Sequence, residues 1–419
     1  MTNFQYRAII FSLCIVIAGI VAWYYYASTK STSNTITTTA TASWTTPITL
    51  GDGSGSIGRG LAVDAQNRIH VVWRAQEGQS FFIGYMRSAD GGKTWTKLQN
   101  LSAGRASGLS PNIAIGSDDS VHVAWSEKQS DSSVIIYTQS GDGGETWSAP
   151  HNVGPATPLL LSAPTITVDT ADIIHLAWHE GENKILYTQS IDHGLSFKQP
   201  QQLNSSSAPA AWPRFTITGN GQMVTVAWRD NRRQPDWDIY VAVSTDAGQT
   251  FHEYPAQASS QREWDPDVVV DDHNVIHLAY GLYTDAGPTI VYAQSADQGK
   301  TWSSPITLSE YTSEFPFWAV YPGEDRVWLF WKDERDAPMP DNITRRSQGQ
   351  GGRVDKAADV AAKFSNDGGI TWSQLQRVTD LGSTEVKFPS PGLGPNGIPV
   401  IAWSDTHTGV EQVYFSLGQ

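Results

Sequence analysis

Short segments in which apolar and polar residues alternate recur along most of the chain. Seven of them end in an aromatic residue, and they are RIHVVW at Trp73, SVHVAW at Trp125, IIHLAW at Trp178, MVTVAW at Trp228, VIHLAY at Tyr280, RVWLFW at Trp331 and IPVIAW at Trp403. Alternation with a period of two predicts half-buried β-strands, and helical periodicity is scarce. Further apolar segments precede and follow each of the seven, so each repeat is predicted to hold up to four strands.

An eight-residue segment follows the third predicted strand in six of the repeats. The copies are SADGGKTW from Ser88, SGDGGETW from Ser140, SIDHGLSF from Ser190, STDAGQTF from Ser244, SADQGKTW from Ser295 and SNDGGITW from Ser365. Their starts are 52, 50, 54, 51 and 70 residues apart, a spacing that indicates a repeat architecture. The Asp can accept backbone hydrogen bonds and the Gly tolerates positive φ, so each copy predicts a hairpin turn.

The seventh repeat lacks both this turn and the strand that would follow it. The segment SWTTPITL at residues 43–50 looks like such a fourth strand, but no repeat precedes it. Pairing it with the last repeat would close a ring and leave no free sheet edge. We therefore predict an all-β fold, a seven-bladed β-propeller over residues 43–419 that is closed by an N-terminal strand. A six-bladed propeller is the alternative, because the first strand of the last repeat is weak.

The N-terminal region has a different composition. Residues 1–7 form a short tail, and residues 8–27 form a nearly uncharged apolar segment long enough to cross a bilayer. Residues 28–42 are rich in Ser and Thr, which is typical of an exposed stalk. We expect a single-pass anchor in the cell membrane with the propeller outside the cytoplasm. A cleaved signal peptide and a secreted protein are the alternative.

Charge and the content of cysteine and histidine limit the classes of partner, cross-link and metal site that we expect. The net charge of −14 argues against a general nucleic-acid binder. The one cysteine, Cys14, lies in the apolar segment, so we expect no disulfide in the propeller. The histidines at the strand centres alternate with apolar residues and are interpreted as packing residues. We predict no cofactor and no metal, since no continuous loop has the ligand spacing of a calcium site.

The Ser-x-Asp-x-Gly-x-Thr-Trp turn resembles the Asp-box, or bacterial neuraminidase repeat, of the sialidase superfamily. The resemblance extends over the whole chain after the stalk and implies a propeller. It also implies that the boxes lie on the face away from the active site. The six box carboxylates would then be structural, and they are Asp90, Asp142, Asp192, Asp246, Asp297 and Asp367.

Arginine is concentrated in the loops that would open on the other face. Ten of the seventeen Arg residues fall between Arg214 and Arg353. Arg binds carboxylates through paired hydrogen bonds, so this concentration predicts a site for an acidic glycan. The predicted binding residues there are Arg214, Arg229, Arg232, Arg262, Arg335 and Trp264. The alternative interpretation is an ion-pair network that holds the loops in place.

Carboxylates recur two residues after the strand-ending aromatic, at Glu127, Glu180, Asp230, Asp333 and Asp405. Glycoside hydrolysis usually requires two carboxyl groups about 5–9 Å apart. We predict Asp230 and Asp333 as the catalytic pair, with Asp265 as the third candidate. Capping of loops by Asp and Glu is the alternative.

Catalytic sialidases resemble one another in an Arg triad, a Tyr nucleophile assisted by Glu, and an Asp acid. By this resemblance Arg59 would be the first Arg and Arg229 the second. The matching Tyr is absent, because the last blade has Phe388 there. The sequence thus predicts a sialidase-like protein that binds an acidic glycan and hydrolyses it if the chemistry is complete. A non-catalytic module that binds carbohydrate or protein is the alternative.

Overall fold

The structure is a computed structural model, and it describes residues 43–53, 59–105, 108–162, 164–217, 221–233, 235–257, 259–284, 287–310, 312–320, 326–334, 358–379, 386–406 and 408–419, apart from the side chains of 110, 212–217 and 388. The predicted tail, anchor and stalk lie outside these residues. Within the described ranges, no helix has the length and apolar character needed to cross a membrane.

In the part of the chain that the structure describes, twenty-eight strands form seven antiparallel sheets of four strands each. The first strands of the blades are β2 (Leu61–Val63), β6 (Gly108–Ile115), β10 (Thr165–Val168), β14 (Ala210–Ile217), β18 (Arg262–Val270), β22 (Ser313–Val320) and β26 (Lys387–Leu393). The second strands are β3 (Ile69–Glu77), β7 (Val121–Lys128), β11 (Ile174–Glu180), β15 (Val224–Asp230), β19 (Ile276–Thr284), β23 (Val327–Asp333) and β27 (Pro399–Asp405).

The third strands are β4 (Ser80–Ser88), β8 (Ser133–Ser140), β12 (Lys184–Ser190), β16 (Asp238–Ser244), β20 (Gly287–Ser295), β24 (Asp359–Ser365) and β28 (Gln412–Leu417). The fourth strands are β5 (Gln99–Asn100), β9 (His151–Asn152), β13 (Gln201–Gln202), β17 (His252–Gln257), β21 (Ile306–Thr307), β25 (Gln376–Arg377) and, for the last blade, β1 (Ile48–Asp52). The predicted seven-bladed propeller is thereby confirmed, and the six-bladed alternative is wrong.

The ring closes as the sequence predicts. Strand β1 pairs antiparallel with β28, with Ile48 opposite Phe415, and so completes blade seven with residues from the start of the domain. The first strands of neighbouring blades contact one another around the ring, including β2 with β26. Closure pairs the outer side of β28, so blade seven has four strands like the other blades and the ring is joined by residues from both ends of the domain.

The core is divided among the junctions between blades. Each of the seven hydrophobic clusters combines side chains from two neighbouring blades, as where Tyr85 of blade one and Trp125 of blade two belong to the same cluster. The strand-ending tryptophans are the largest buried side chains, and Trp73, Trp125, Trp228, Trp331 and Trp403 are each at most 1% exposed. A buried aromatic ring removes about 150–250 Å² from water, so these residues are a main source of cohesion between blades.

The Asp-box turns join third to fourth strands and share one hydrogen-bond pattern. In the first, Asp90 Oδ1 accepts from the Ser88 hydroxyl (2.8 Å) and the Thr94 backbone N–H (2.8 Å), and Asp90 Oδ2 accepts from the Thr94 hydroxyl (2.6 Å). These bonds, the Thr94 hydroxyl foremost, lower the pKa of Asp90 to about 2. All six box carboxylates bond the Ser hydroxyl and the Thr or Ser four residues on.

A buried His–Tyr pair connects four of the blades to the next Asp-box. In blade one, His70 Nδ1 lies 2.7 Å from the Tyr85 hydroxyl, and the same pair recurs as His122–Tyr137, His175–Tyr187 and His277–Tyr292. The Tyr hydroxyl packs on a Gly of the following box, where a Cβ at Gly144 would lie 1.8 Å from it. The box Gly is therefore required by the neighbouring blade as well as by its own positive φ.

A bulge interrupts five of the first strands at an X-Pro step, namely Ser110-Pro111, Trp212-Pro213, Asp265-Pro266, Phe315-Pro316 and Phe388-Pro389. Pro has no N–H to donate to a sheet ladder, so it is accommodated where an extra residue breaks the pairing. Asp265 and Phe315 have positive φ values of 48° and 54°, which is costly for residues other than Gly.

Candidate functional site

The chemistry of the molecule differs between the two ends of its strands. The Asp-boxes occupy one end, which we call the turn face. The second strands end, and the third strands begin, at the opposite end, which we call the mouth face. The described Arg residues after the second strand of blade four and at the start of the first strand of blade five lie on the mouth face, and the Arg-rich loop of blade six lies outside the described residues.

Seven partly exposed side chains from blades four to six meet there, and we call them the mouth cluster. They are Arg229, Trp237, Arg262, Trp264, Asp265, Tyr283 and Glu314. They come from the end of β15, the residue before β16, the start of β18, the end of β19 and the start of β22. The first strand of one blade thus supplies side chains beside the second strand of the blade before it.

Two guanidinium groups stack on one indole ring in this cluster. The Cζ atoms of Arg229 and Arg262 lie 3.3 Å and 3.9 Å from the ring centroid of Trp264. Arg229 also lies over Trp237, at 4.9 Å, and Trp237 packs edge to face on Trp264. Burial lowers the pKa of Arg229 to about 9, so it remains charged at neutral pH. Two cations held close together in partly desolvated surroundings form a site that an anion would stabilise.

Aromatic rings hold the side chain of Arg262 in place. Its guanidinium also lies 5.5 Å from the Tyr283 ring centroid, and within the described ranges no carboxylate lies within ion-pair distance of it. Its buried Nε likewise has no hydrogen-bond acceptor among those residues. The side chain is therefore oriented by aromatic stacking while its donors are left to bind a ligand.

A tyrosine–glutamate pair borders the two arginines. The Tyr283 hydroxyl donates to Glu314 Oε1 at 2.9 Å. Burial raises the pKa of Tyr283 well above its usual value, and the charges of Glu314 and Asp265 raise it further. Tyr283 is consequently a neutral phenol whose proton already points at a base.

Backbone strain coincides with this pair. Asp265 and Phe315, the two described positive-φ residues that precede a proline, lie next to Trp264 and Glu314 in sequence. Bulges re-aim side chains and are common beside active sites. The strain is thus located in the part of the propeller where ionisable groups converge.

Two of the predicted catalytic carboxylates are buried. Asp230 is fully buried, and its oxygens accept from Trp228 Nε1 (3.2 Å), Arg232 Nε (2.8 Å) and Arg232 Nη2 (2.7 Å). Asp333 holds the equivalent position in blade six and is 2% exposed. The same indole-to-carboxylate bond joins Trp403 to Asp405 at 2.8 Å. This recurrence favours the capping interpretation for Asp230 and Asp405, because alternate residues of a strand lie on the same side.

The predicted binding arginines have different surroundings. Arg232 binds Asp230 and also Glu253, so the ion-pair interpretation describes it well. Arg59 extends from blade one to blade five and pairs with Asp267. Strand β14 contains Arg214, whose side chain is not described, and Arg335 lies outside the described residues. Of the predicted residues, the structure groups Arg229, Arg262, Trp264 and Asp265.

Three residues of the cluster were missed from the sequence, namely Trp237, Tyr283 and Glu314. Glu314 immediately precedes the X-Pro step of blade six, as Trp264 precedes that of blade five. Tyr283 follows the strand-ending Tyr280 by three residues, where it continues β19 beyond the length of most second strands. Alignment of the X-Pro steps would have placed Glu314 at the position that Trp264 occupies in blade five, and so would have identified it. Nothing comparable marks Trp237.

The described fold and turns define the class of this protein, a seven-bladed propeller built on Asp-boxes. The family model described as a BNR repeat-like domain matches residues 172–398, more than half of the chain, and the chain belongs to this family. A comparison with curated protein sequences finds no match.

Several solved structures share the fold. An ulvan lyase bound to -[GlcA(1-4)Rha3S]- is 11% identical with a TM-score of 0.56, covering 88% of this chain and 96% of its own. The polysaccharide lyase Uly1 is 9% identical with a TM-score of 0.57, covering 93% and 94%. A protein of unknown function from Dyadobacter fermentans is 14% identical with a TM-score of 0.54, covering 74% and 93%. At these identities the likeness concerns the fold alone.

Proposed function

We propose that the mouth cluster binds an acidic glycan and cleaves it by sialidase-like hydrolysis. The observation that carries the binding step is Arg262, whose guanidinium is oriented by Trp264 and Tyr283 with no carboxylate of the described chain beside it. Arg229 adds a second positive charge on the same indole. A sugar carboxylate can accept paired hydrogen bonds from a guanidinium, and the exposed ring surfaces suit the apolar face of a sugar.

Tyr283, Glu314 and Asp265 are the proposed catalytic residues. Glu314 would take the phenol proton as the Tyr283 oxygen attacks the anomeric carbon, and Asp265 would protonate the leaving oxygen. Transfer during attack is necessary, because the surroundings disfavour a free phenoxide. This assignment keeps Asp265 from the sequence-based set and replaces Asp230 and Asp333, which are buried.

Binding without cleavage is the second candidate. The raised pKa of Tyr283 favours it, because the two neighbouring carboxylates that would assist catalysis also hold the phenol in its neutral form. In that case the same residues would form a lectin-like site with a neutral hydrogen-bond donor.

Turnover and affinity, measured on the same variants, separate these candidates. The purified full chain is offered sialosides and glucuronic-acid oligosaccharides, the latter because one structural neighbour is recorded with a GlcA-containing ligand. Tyr283→Phe should lower turnover by about 100-fold or more while leaving the Kd within a few-fold. The control is Tyr292→Phe, which removes a hydroxyl from the turn face of the same blade.

Each outcome has one meaning. Binding without turnover in the wild type establishes the non-catalytic candidate. Turnover that survives Tyr283→Phe contradicts the proposed mechanism. Absence of binding to every acidic glycan in the set contradicts both.

We also propose that residues 8–27 anchor the chain in the membrane with the propeller outside the cytoplasm. The support is the length and composition of this apolar segment. Protease accessibility of the propeller on intact cells tests it, and protection of the propeller would contradict it.

A further inference from the structure

Two buried carboxyl groups, Asp238 and Glu263, lie side by side at the junction of blades four and five. Each is 1% exposed. Asp238 follows Trp237 and Glu263 precedes Trp264, so each acid is next in sequence to an aromatic residue of the mouth cluster. The backbone N–H of Glu263 donates to the carbonyl oxygen of Trp237 at 2.8 Å and joins the two blades at this point.

The described donors do not satisfy these acids. Glu263 Oε1 accepts from the Ser259 hydroxyl (2.5 Å) and its N–H (3.3 Å), but Glu263 Oε2 and both oxygens of Asp238 have no hydrogen-bond donor among the described residues. Arg233, which is half exposed, lies 3.7 Å from Asp238. The backbone bond from Glu263 to Trp237 places the two acids next to each other, and each carboxyl group affects the pKa of the other. Two adjacent carboxyl groups can hydrogen-bond to each other only if one of them carries a proton.

The other charged and titratable groups facing the pair do not replace that proton. Asp230 of β15 is engaged by Arg232, Asp236 of the preceding loop adds negative charge, and Tyr280 of β19 is a buried phenol. Burial, with the charge of the neighbouring Asp238 as a smaller cause, raises the pKa of Glu263 to about 7. Burial also raises the pKa of Asp238. Like carboxyl groups in one buried place are expected to retain one proton between them.

We infer that Asp238 and Glu263 share one proton, and that this proton controls the mouth cluster by holding Trp237 against Trp264. With the proton present, the acid pair links the start of β16 to the start of β18. When it is lost to solvent, two buried negative charges repel and the two strand ends separate. The Trp237–Trp264 contact, with centroids 5.5 Å apart, and the Arg229 stack on both rings then loosen.

The expected effect of this proton on ligand affinity rests on the proposed function. An acidic glycan should bind more tightly at mildly acidic than at alkaline pH, because protonation orders the arginine platform and removes one negative charge beside it. The conformational part of the inference stands without any ligand, so it is tested first on the free protein.

The test is a pH titration of tryptophan fluorescence and near-ultraviolet circular dichroism on the full chain. Subtracting the Trp237→Phe signal isolates the ring pair from the other tryptophans. The wild type should show a single-proton transition centred near pH 7 and spanning about two pH units. Glu263→Gln should abolish it, because an amide donates to Asp238 at every pH. Glu127→Gln is the control, since Glu127 is a buried carboxylate that Arg105 pairs at 3.1 Å.

Infrared spectroscopy of the wild type tests for the shared proton directly, so the test holds even if a variant folds poorly. A protonated-carboxyl band present at about pH 6 and lost by about pH 8 supports the shared proton, and its absence overturns it. A transition that persists in Glu263→Gln also overturns it. For a glucuronic-acid tetrasaccharide, affinity should fall about tenfold or more over that range in the wild type but not in Glu263→Gln. A normal transition without any binding supports the acid pair and contradicts the proposed function instead.

Discussion

On the turn face, each Asp-box carboxylate accepts the same set of hydrogen bonds from Ser and from Thr or Ser, whereas on the mouth face of blades four and five both oxygens of Asp238 lack a described donor. Positive φ occurs on both faces: in the Asp-boxes the residue that packs on the neighbouring blade is always Gly, although His193, Ala247 and Gln298 before it also have positive φ, whereas Asp265 and Phe315 on the mouth face have positive φ directly before a proline. Hydrogen-bonded groups favour stability. Buried groups without a donor oppose it, and they persist where they serve a ligand or a reaction.

The comparison therefore divides the propeller by role. Substitutions on the turn face should lower the free energy of unfolding and leave the ligand site intact. Substitutions in the mouth cluster should leave stability almost unchanged, or raise it, and should impair binding or turnover.

The largest stability effect is expected at Gly369, in the sixth Asp-box. A Cβ there would lie 2.1 Å from the Tyr292 hydroxyl at a φ of 83°, so Gly369→Ala should cost about 2–5 kcal/mol. The neighbouring Gly368 has a φ of 66° and open space around its Cβ, so Gly368→Ala should cost only about 1–2 kcal/mol. Urea unfolding measures both. If the two substitutions lower the free energy of unfolding equally, contact with the next blade does not explain why this box position is glycine.

Acid should weaken the blade junctions through their buried histidines. Burial lowers the pKa of His122 to about 4 from 6.5, so the unfolded chain takes up the proton first. Its contribution to stability is complete above pH 6.5 and is lost as the pH falls toward 4, by about 3 kcal/mol. His122→Gln, which keeps a polar partner for Tyr137, should flatten that part of the pH profile. A profile unchanged by this substitution would contradict the prediction, and His252→Gln at an exposed site is the control.

Asp230→Asn tests whether every carboxylate on the mouth face belongs to the site. Removing the charge weakens the bidentate pair with Arg232, which is 20% exposed, and should cost about 2 kcal/mol of unfolding free energy. Affinity for an acidic glycan should not change. Lost turnover in a variant of normal stability would instead restore Asp230 as a catalytic residue.

The smallest effect is expected at Asp265 and has the opposite sign. Asp265→Gly relieves the positive φ and should raise the free energy of unfolding by up to about 1 kcal/mol, while turnover falls. Thermal unfolding and activity are measured together. A destabilised variant with full activity would mean that the strain at this bulge has no functional basis.

The fold was predictable because its determinants are local and repeated. The Asp-box turns, the strand-ending tryptophans and the orphan strand at residues 43–50 each report a backbone conformation that hydrogen bonding and burial require. The residues of the mouth cluster do not repeat from blade to blade in this way. Arg229, Arg262, Trp264 and Asp265 were found because arginine and acid are concentrated in the loops.

The partners of these residues come from other blades, and sequence distance hides them. Glu314 meets Tyr283 across a blade junction, and Asp238 meets Glu263 in the same way. Asp230 was wrongly chosen as a catalytic residue because a carboxylate next to Arg has the same sequence pattern whether it caps a strand or faces a ligand. Only burial and bond partners distinguish the two.

The most direct test of the division between the faces compares two arginines. Arg262 belongs to the mouth cluster, and Arg87 on the turn face donates to the Gly143 carbonyl at 2.7 Å and pairs with Glu145. Calorimetric titration with a glucuronic-acid oligosaccharide should show a loss of affinity of about tenfold or more in Arg262→Lys and none in Arg87→Lys. Equal affinity in Arg262→Lys and the wild type, or a comparable loss in Arg87→Lys, would contradict the account.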